Sequence, residues 1–130
     1  MFLCDTNVVS EFFRPRPDPK LLAWGEGVPT ILLSSVTIEE IFYGLGWKPN
    51  PRVLGAVETF IVERCELLPI SPEIARRSGG IRGSFQARGE TRSMSDMLIA
   101  ATAQVHQLTL VTRNVRHFES CALAVLNPFD

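Results

Sequence analysis

A chain of 130 residues with 45% hydrophobic residues, 21% charged residues and a formal net charge of −1 has the composition of a globular protein, and the expected organisation is one domain over residues 1–130. That charge excludes a strongly basic nucleic-acid binder, but not a nuclease whose local acidic cluster holds a metal. No apolar run has the length of a bilayer span, the N-terminus lacks the features of a signal peptide, and Cys4, Cys65 and Cys121 have neither disulfide-framework nor zinc-site spacing. The expectation is a reduced, cytoplasmic protein with no membrane partner.

In chain order, the elements alternate between short apolar runs and helical patterns. "FLCD" reads as a first strand. Asp18-Pro19 reads as a helix N-cap followed by proline at the first helical position. "ILLSS" (31–35) is a second strand, and "TIEEIFYGLG" follows it with Ile38, Ile41, Phe42 and Leu45 at helical spacing. Val53, Val57, Phe60 and Ile61 mark another helix. "CELLPIS" (65–71) holds a third strand, and Ser71-Pro72-Glu73 opens a helix. "RPRPDP" (14–19) and "RGSFQARGETRS" (82–93) read as exposed loops, the first part of the latter able to continue the preceding helix. The alanine-rich "SDMLIAATAQVHQ" is a helix suited to close packing on a sheet. "LTLVT" (108–112) and "LAVLNP" (123–128) complete five strand candidates. The apolar runs are continuous, as in strands buried on both faces, so the fold class is α/β with a mostly parallel sheet.

Sites in such sheets form beyond the carboxyl ends of the strands. Asp5-Thr6-Asn7 ends the first strand, Ser34-Ser35 the second, and Thr112-Arg113-Asn114 the fourth; Asp96 opens the alanine-rich helix. Asp5, Glu40, Asp96 and Asn114 therefore converge on one sheet edge if the strands are ordered suitably. Each also has a plainer reading. Asp5 can be a helix N-cap, Thr37 to Glu40 and Ser93 to Asp96 fit capping boxes, and Asn114 fits a turn.

If the carboxylates meet, their repulsion calls for a cation. Oxygen ligands select a hard ion, Mg²⁺ or Mn²⁺, which can activate water and stabilise charge on a phosphodiester. The expected metal ligands are Asp5, Glu40 and Asp96, with Asn114 a fourth member of the catalytic group. Thr6, Asn7 and Thr112 are expected beside them, with the threonine hydroxyls orienting ligands or water.

"DTNVVSE", "SSVTIEEIFYGL", "SDMLIAATAQVHQLTLVTRN" and "HFE" together resemble a PIN domain, more narrowly the VapC/FitB toxins of bacterial type II toxin–antitoxin pairs. The likeness runs through nearly the whole chain. It implies a five-stranded parallel sheet flanked by helices and a Mg²⁺- or Mn²⁺-dependent endoribonuclease. It also implies a homodimer and an antitoxin, which contacts operator DNA and so links this chain to DNA only indirectly. On the resemblance, Asp5, Glu40 and Asp96 fall on the family's acidic positions. Asn114 stands where an aspartate is commoner, which puts a second metal ion in question. Glu39 also departs from the pattern and is expected to face solvent.

Arg82, Arg88, Arg92 and Arg113 are candidate phosphate contacts, with a solvated loop as the plainer reading. Phe12, Phe13, Trp24, Phe42 and Trp47 are candidates for an apolar groove taking an antitoxin segment. Two rival readings exist. One is a catalytically weak module of the same fold that binds an antitoxin or RNA without cleaving it. The other is a haloacid-dehalogenase-type phosphatase, disfavoured by Asn7 where a second aspartate is wanted.

Overall fold

The computed structural model describes all residues, Met1–Asp130. Five strands, β1 (Phe2–Cys4), β2 (Ile31–Ser34), β3 (Cys65–Leu68), β4 (Thr109–Val111) and β5 (Val125–Leu126), form one sheet in the order β3-β2-β1-β4-β5. Every pairing is parallel. Six α-helices connect them: α1 (Thr6–Glu11), α2 (Pro19–Glu26), α3 (Ser35–Trp47), α4 (Pro51–Arg64), α5 (Pro72–Ala87) and α6 (Met94–His106). A 3₁₀ helix, Val115–Phe118, lies between β4 and β5.

Strand side chains alternate between the two faces of the sheet, and the core divides accordingly. Leu3, Leu32 and Leu110 pack on one face with Phe85 of α5 and Met97, Ala100 and Ala103 of α6. Cys4, Ile31, Leu33 and Val111 pack on the other with Val8, Val9 and Leu21, and with Phe12, Ile41 and Phe60 around them. Each fully buried leucine contributes roughly 1.5–3 kcal/mol relative to exposure. Buried Ala100, Ala101 and Ala103 let α6 lie close to its neighbours. Gly25 serves the same end in α2, since a Cβ there would stand 3.1 Å from the Phe12 ring.

The elements fall where the sequence places them, with corrections in detail. Asp18 caps α2, accepting from the N–H of Lys20 and Leu21, with Pro19 at the first position. β3 is not buried on both faces: it sits at the sheet's end with a neighbour on one side only, and Glu66 and Leu67 are exposed. α5 continues through Ala87, taking in the first half of the expected 82–93 loop, and closes on Gly89 at φ +77°. Glu11, which the pattern does not single out, is buried; it accepts from the Asp18 N–H and pairs with Arg14 at 3.2 Å, fastening the proline-rich loop.

Candidate active site

β1 and β4 end together, Cys4 opposite Val111, so the next residues of the two strands are brought side by side. The Asp5 N–H donates to the Val111 carbonyl at 3.0 Å. The Asp5 carboxylate is then held at both oxygens. Oδ1 accepts from the Val8 N–H at 2.9 Å and Oδ2 from the Thr112 hydroxyl at 2.5 Å. Thr112 is itself oriented, because its oxygen accepts from the Asn114 N–H at 3.0 Å. Asp5 is thus both a helix cap and the member of the group at the sheet's centre.

Asp5 is 5% exposed. Burial pushes its carboxyl above the ordinary 3.8; the hydrogen bonds from Thr112 and Val8 oppose that shift, and the charges of Asp96 and Glu40 add to it. Like charges disfavour ionisation of each other, a repulsion that a bound cation would relieve.

Glu40 sits on α3, and the capping box from Thr37 does not form. Ser34 caps this helix by accepting from the Val36 N–H at 3.1 Å, one turn earlier than the box would place it, so Thr37 lies inside the helix and is buried. Glu40 instead accepts from the Thr6 hydroxyl at 2.6 Å. Thr37 Oγ1 lies 3.1 Å from Thr6 Oγ1. A hydroxyl has one proton, so Thr6 gives it to Glu40 and receives one from Thr37. Glu39 is exposed, as expected.

Asp96 occupies the first turn of α6, whose cap, Ser93, accepts from the Asp96 N–H at 3.1 Å. Its carboxylate does not return to the cap; Oδ2 lies 3.2 Å from Nδ1 of His117. His117 is a neighbour that sequence reasoning misses. The "HFE" stretch holds it, but no local pattern ties residue 117 to residue 96.

Two further expectations need correction. Asn7 is the second residue of α1, exposed, and its amide joins none of these hydrogen bonds. Asn114 reaches the group through its backbone N–H to Thr112; its amide makes no capping bond to the 3₁₀ helix it precedes. The candidate arginines separate. Arg113 stacks on Phe129 at 3.7 Å, Arg88 and Arg92 lie over Phe85 at 4.8 and 4.2 Å, and Arg82 lines a different recess with Gly79, Gly83 and Gln86. The aromatic candidates separate as well. Phe12 and Phe13 line a groove of about 650 Å³ with Leu22, Thr59, Phe60 and Glu63. Trp24 packs edge-on against Phe2, and Trp47 is exposed beside Tyr43.

No three Asp, Glu, His or Cys side chains are gathered at metal-ligating spacing. Asp5, Glu40 and Asp96 therefore share one electrostatic field without forming one closed ligand shell. A hard cation suits that arrangement, since Mg²⁺ keeps several waters and takes only one or two protein carboxylates. Each oxygen of Asp5 has one hydrogen bond, leaving lone-pair capacity on both, and Oε2 of Glu40 and Oδ1 of Asp96 accept none. The donor set fits such an ion.

The sheet is parallel in the order β3-β2-β1-β4-β5, and residues 2–122 match the PIN domain. The chain belongs to the PIN domain family. It is 30% identical over 140 residues to the VapC ribonuclease Y4jK of Sinorhizobium fredii, covering 100% of this chain and 99% of that one. It is 32% identical over 141 residues to toxin FitB of Neisseria gonorrhoeae, covering 99% of each. A toxin–antitoxin complex from Klebsiella pneumoniae contains a chain that superposes with TM-score 0.74 at 29% identity, covering 100% of this chain and 99% of that one.

Proposed function

We propose that this chain is the toxin of a type II toxin–antitoxin pair, a Mg²⁺- or Mn²⁺-dependent endoribonuclease that hydrolyses RNA phosphodiester bonds in the cytoplasm. The observation that carries this reading is Asp5: buried, hydrogen-bonded at both oxygens and placed within the field of Asp96 and Glu40. Relatives named as a ribonuclease and as a toxin support it over the full chain.

Asp5, Glu40 and Asp96 would hold the ion, which when bound supplies an activated water and neutralises charge on the phosphodiester. The chain's own part is orientation. Val8 N–H and the Thr112 hydroxyl fix the plane of the Asp5 carboxylate, and Thr6 fixes one oxygen of Glu40 so that the other is presented. Asp5, Thr6, Glu40, Asp96 and Thr112 come from four separate stretches of one domain, residues 1–130. Asn114 contributes its backbone N–H to the Thr112 oxygen, and its neutral amide would suit water better than a second cation.

The partner is an antitoxin, and the groove lined by Phe12, Phe13 and Phe60 suits an amphipathic segment of it. Operator DNA is reached through that partner, and the toxin acts as a homodimer. The competing reading, a module that binds without cleaving, draws on Asn114 alone.

The test is cleavage of a cellular RNA pool by purified protein in Mg²⁺, in Mn²⁺ and in EDTA, beside the Asp5→Asn variant. Discrete fragments that require metal and vanish in the variant are expected. Folded, antitoxin-free protein that cuts nothing under any condition would leave the binding module as the reading.

A further inference from the structure

The most basic stretch of the chain is not at the carboxylates. Residues 76–92 carry Arg76, Arg77, Arg82, Arg88 and Arg92 against Glu90 alone, in a protein whose formal net charge is −1. These arginines do not share one face. Arg77, Gly80, Ile81 and Ser84 of α5, with Arg88 just past its end, recur at helical spacing and form one wall of a recess of about 380 Å³. The opposite wall is Gln104 of α6 and the segment Ser120–Ala122. Arg82 points to a separate recess.

The Ser120–Ala122 wall is unusual. Ser120 and Ala122 adopt φ of +63° and +50°, a left-handed backbone that non-glycine residues rarely take. Such alternation turns neighbouring N–H groups toward one side of a loop and makes an anion-binding concavity. Neither the Ser120 nor the Ala122 N–H has an acceptor within the chain. Gln104 holds the segment in place by donating from Nε2 to the Cys121 carbonyl. Arg77, Arg88, Ser84 and Ser120 therefore line one hollow that has no acidic lining residue, and the two N–H groups without an acceptor belong to its wall; the Arg88 guanidinium lies over Phe85 at 4.8 Å and pairs with the exposed Glu90 at 3.5 Å.

The recess lies beside α6, whose first turn bears Asp96, and Cys121 in its wall feels the charges of Arg92 and Asp96. Phe85, in the recess, carries Arg92 on its ring at 4.2 Å, and Arg92 directly precedes the cap of the helix that bears Asp96. On the other wall, His117, 3.2 Å from Asp96, lies in the 3₁₀ helix Val115–Phe118, which ends two residues before Ser120.

We propose that the recess between α5, α6 and Ser120–Ala122 is a phosphate subsite for single-stranded RNA, holding the backbone on the Asp96 side of the cleavage site. Arg77 and Arg88 supply the positive charge, and the free N–H groups complete the cradle. The proposal rests on the ribonuclease reading and adds where the strand runs. It also explains how a chain of slightly negative net charge retains a polyanion, since two of its arginines line one recess.

The test is binding of a labelled single-stranded RNA of mixed sequence to the full chain in EDTA, at rising KCl, followed by steady-state cleavage in Mg²⁺. Arg77→Gln with Arg88→Gln is expected to weaken binding roughly tenfold. The slope of log affinity against log salt should fall by about 0.7 for each phosphate that the variant no longer neutralises, and KM should rise while kcat holds. Gly80→Leu places an apolar side chain at the recess without touching charge, from a Cβ position that meets nothing within 4 Å; with an unchanged unfolding temperature, it too is expected to raise KM. Arg82→Gln is the control and should stay near wild type in both assays. A double variant with wild-type affinity and slope, or an Arg82→Gln variant equally impaired, overturns the subsite while cleavage by the wild type keeps the nuclease standing. A double variant that changes only the monomer–dimer equilibrium assigns the recess to a second copy of the chain and also overturns it. Wild-type protein that neither binds nor cuts RNA overturns the nuclease reading and the subsite with it.

Discussion

Asp5 has two jobs, and two substitutions separate them. Asparagine keeps an oxygen for the Val8 N–H and can turn its NH₂ toward the Thr112 oxygen; it removes only the charge. Alanine removes the cap and the Thr112 bond together. Loss of the cap costs about 1 kcal/mol and loss of the hydrogen bond about another. In a domain of this size that places the melting temperature of Asp5→Ala about 8 °C below that of Asp5→Asn. The pH dependence distinguishes charge from cap. The folded-state pKa of Asp5 is raised above 3.8, first by burial and then by Asp96 and Glu40. The stability it contributes is complete below 3.8 and is lost as pH rises through the raised value. Thermal unfolding in EDTA should therefore show wild type losing ground to Asp5→Asn as pH rises from acid toward neutrality. Mg²⁺ should restore wild type, by about 2.7 kcal/mol at a hundredfold excess over Kd, and leave the asparagine variant unmoved. Wild type gaining on Asp5→Asn as pH rises without metal would refute the argument, because it would mean the fold favours the charge unaided.

Thr6→Val removes the proton that fixes Glu40 and should lower metal affinity or kcat by roughly 10–100-fold with little change in unfolding temperature, measured by titration and kinetics side by side. Asn114→Asp supplies a carboxylate beside Thr112 while keeping the backbone N–H bond to its hydroxyl. Calorimetry with Mn²⁺ should show tighter or additional binding than in wild type, and identical isotherms would place residue 114 outside the ion's reach.

β1, β2, β4 and β5 are legible because each is a short apolar run ending on a polar residue, and parallel pairing brings such ends together. Asp5 and Thr112 can both be named from that pattern, although the bond between them spans 107 positions. Local chemistry misleads where two signals compete. Thr37 and Glu40 spell a capping box, but Ser34 starts α3 a turn earlier, and only the start of the helix decides which serine or threonine caps it. β3 reads like an interior strand because its leucines are no different from those of β2; its place at the sheet's end is a property of pairing order. His117 and the Arg77–Arg88 recess are invisible in the sequence, since each depends on how the segment after β4 folds back on α5 and α6. Asn7 is easily over-read, because proximity in sequence to Asp5 does not turn its side chain inward on a helix.

The span between Asp5 and Thr112 has a consequence for how such a protein is made. Asp5 leaves the ribosome 107 residues ahead of the hydroxyl that holds its carboxylate, and the strand that lies beside it, β4, emerges just as late. His117, the neighbour of Asp96, follows later still. A partly synthesised chain therefore carries Asp5 without the hydroxyl and the strand that hold it, and the arrangement around this carboxylate closes only once the chain has been made past Thr112.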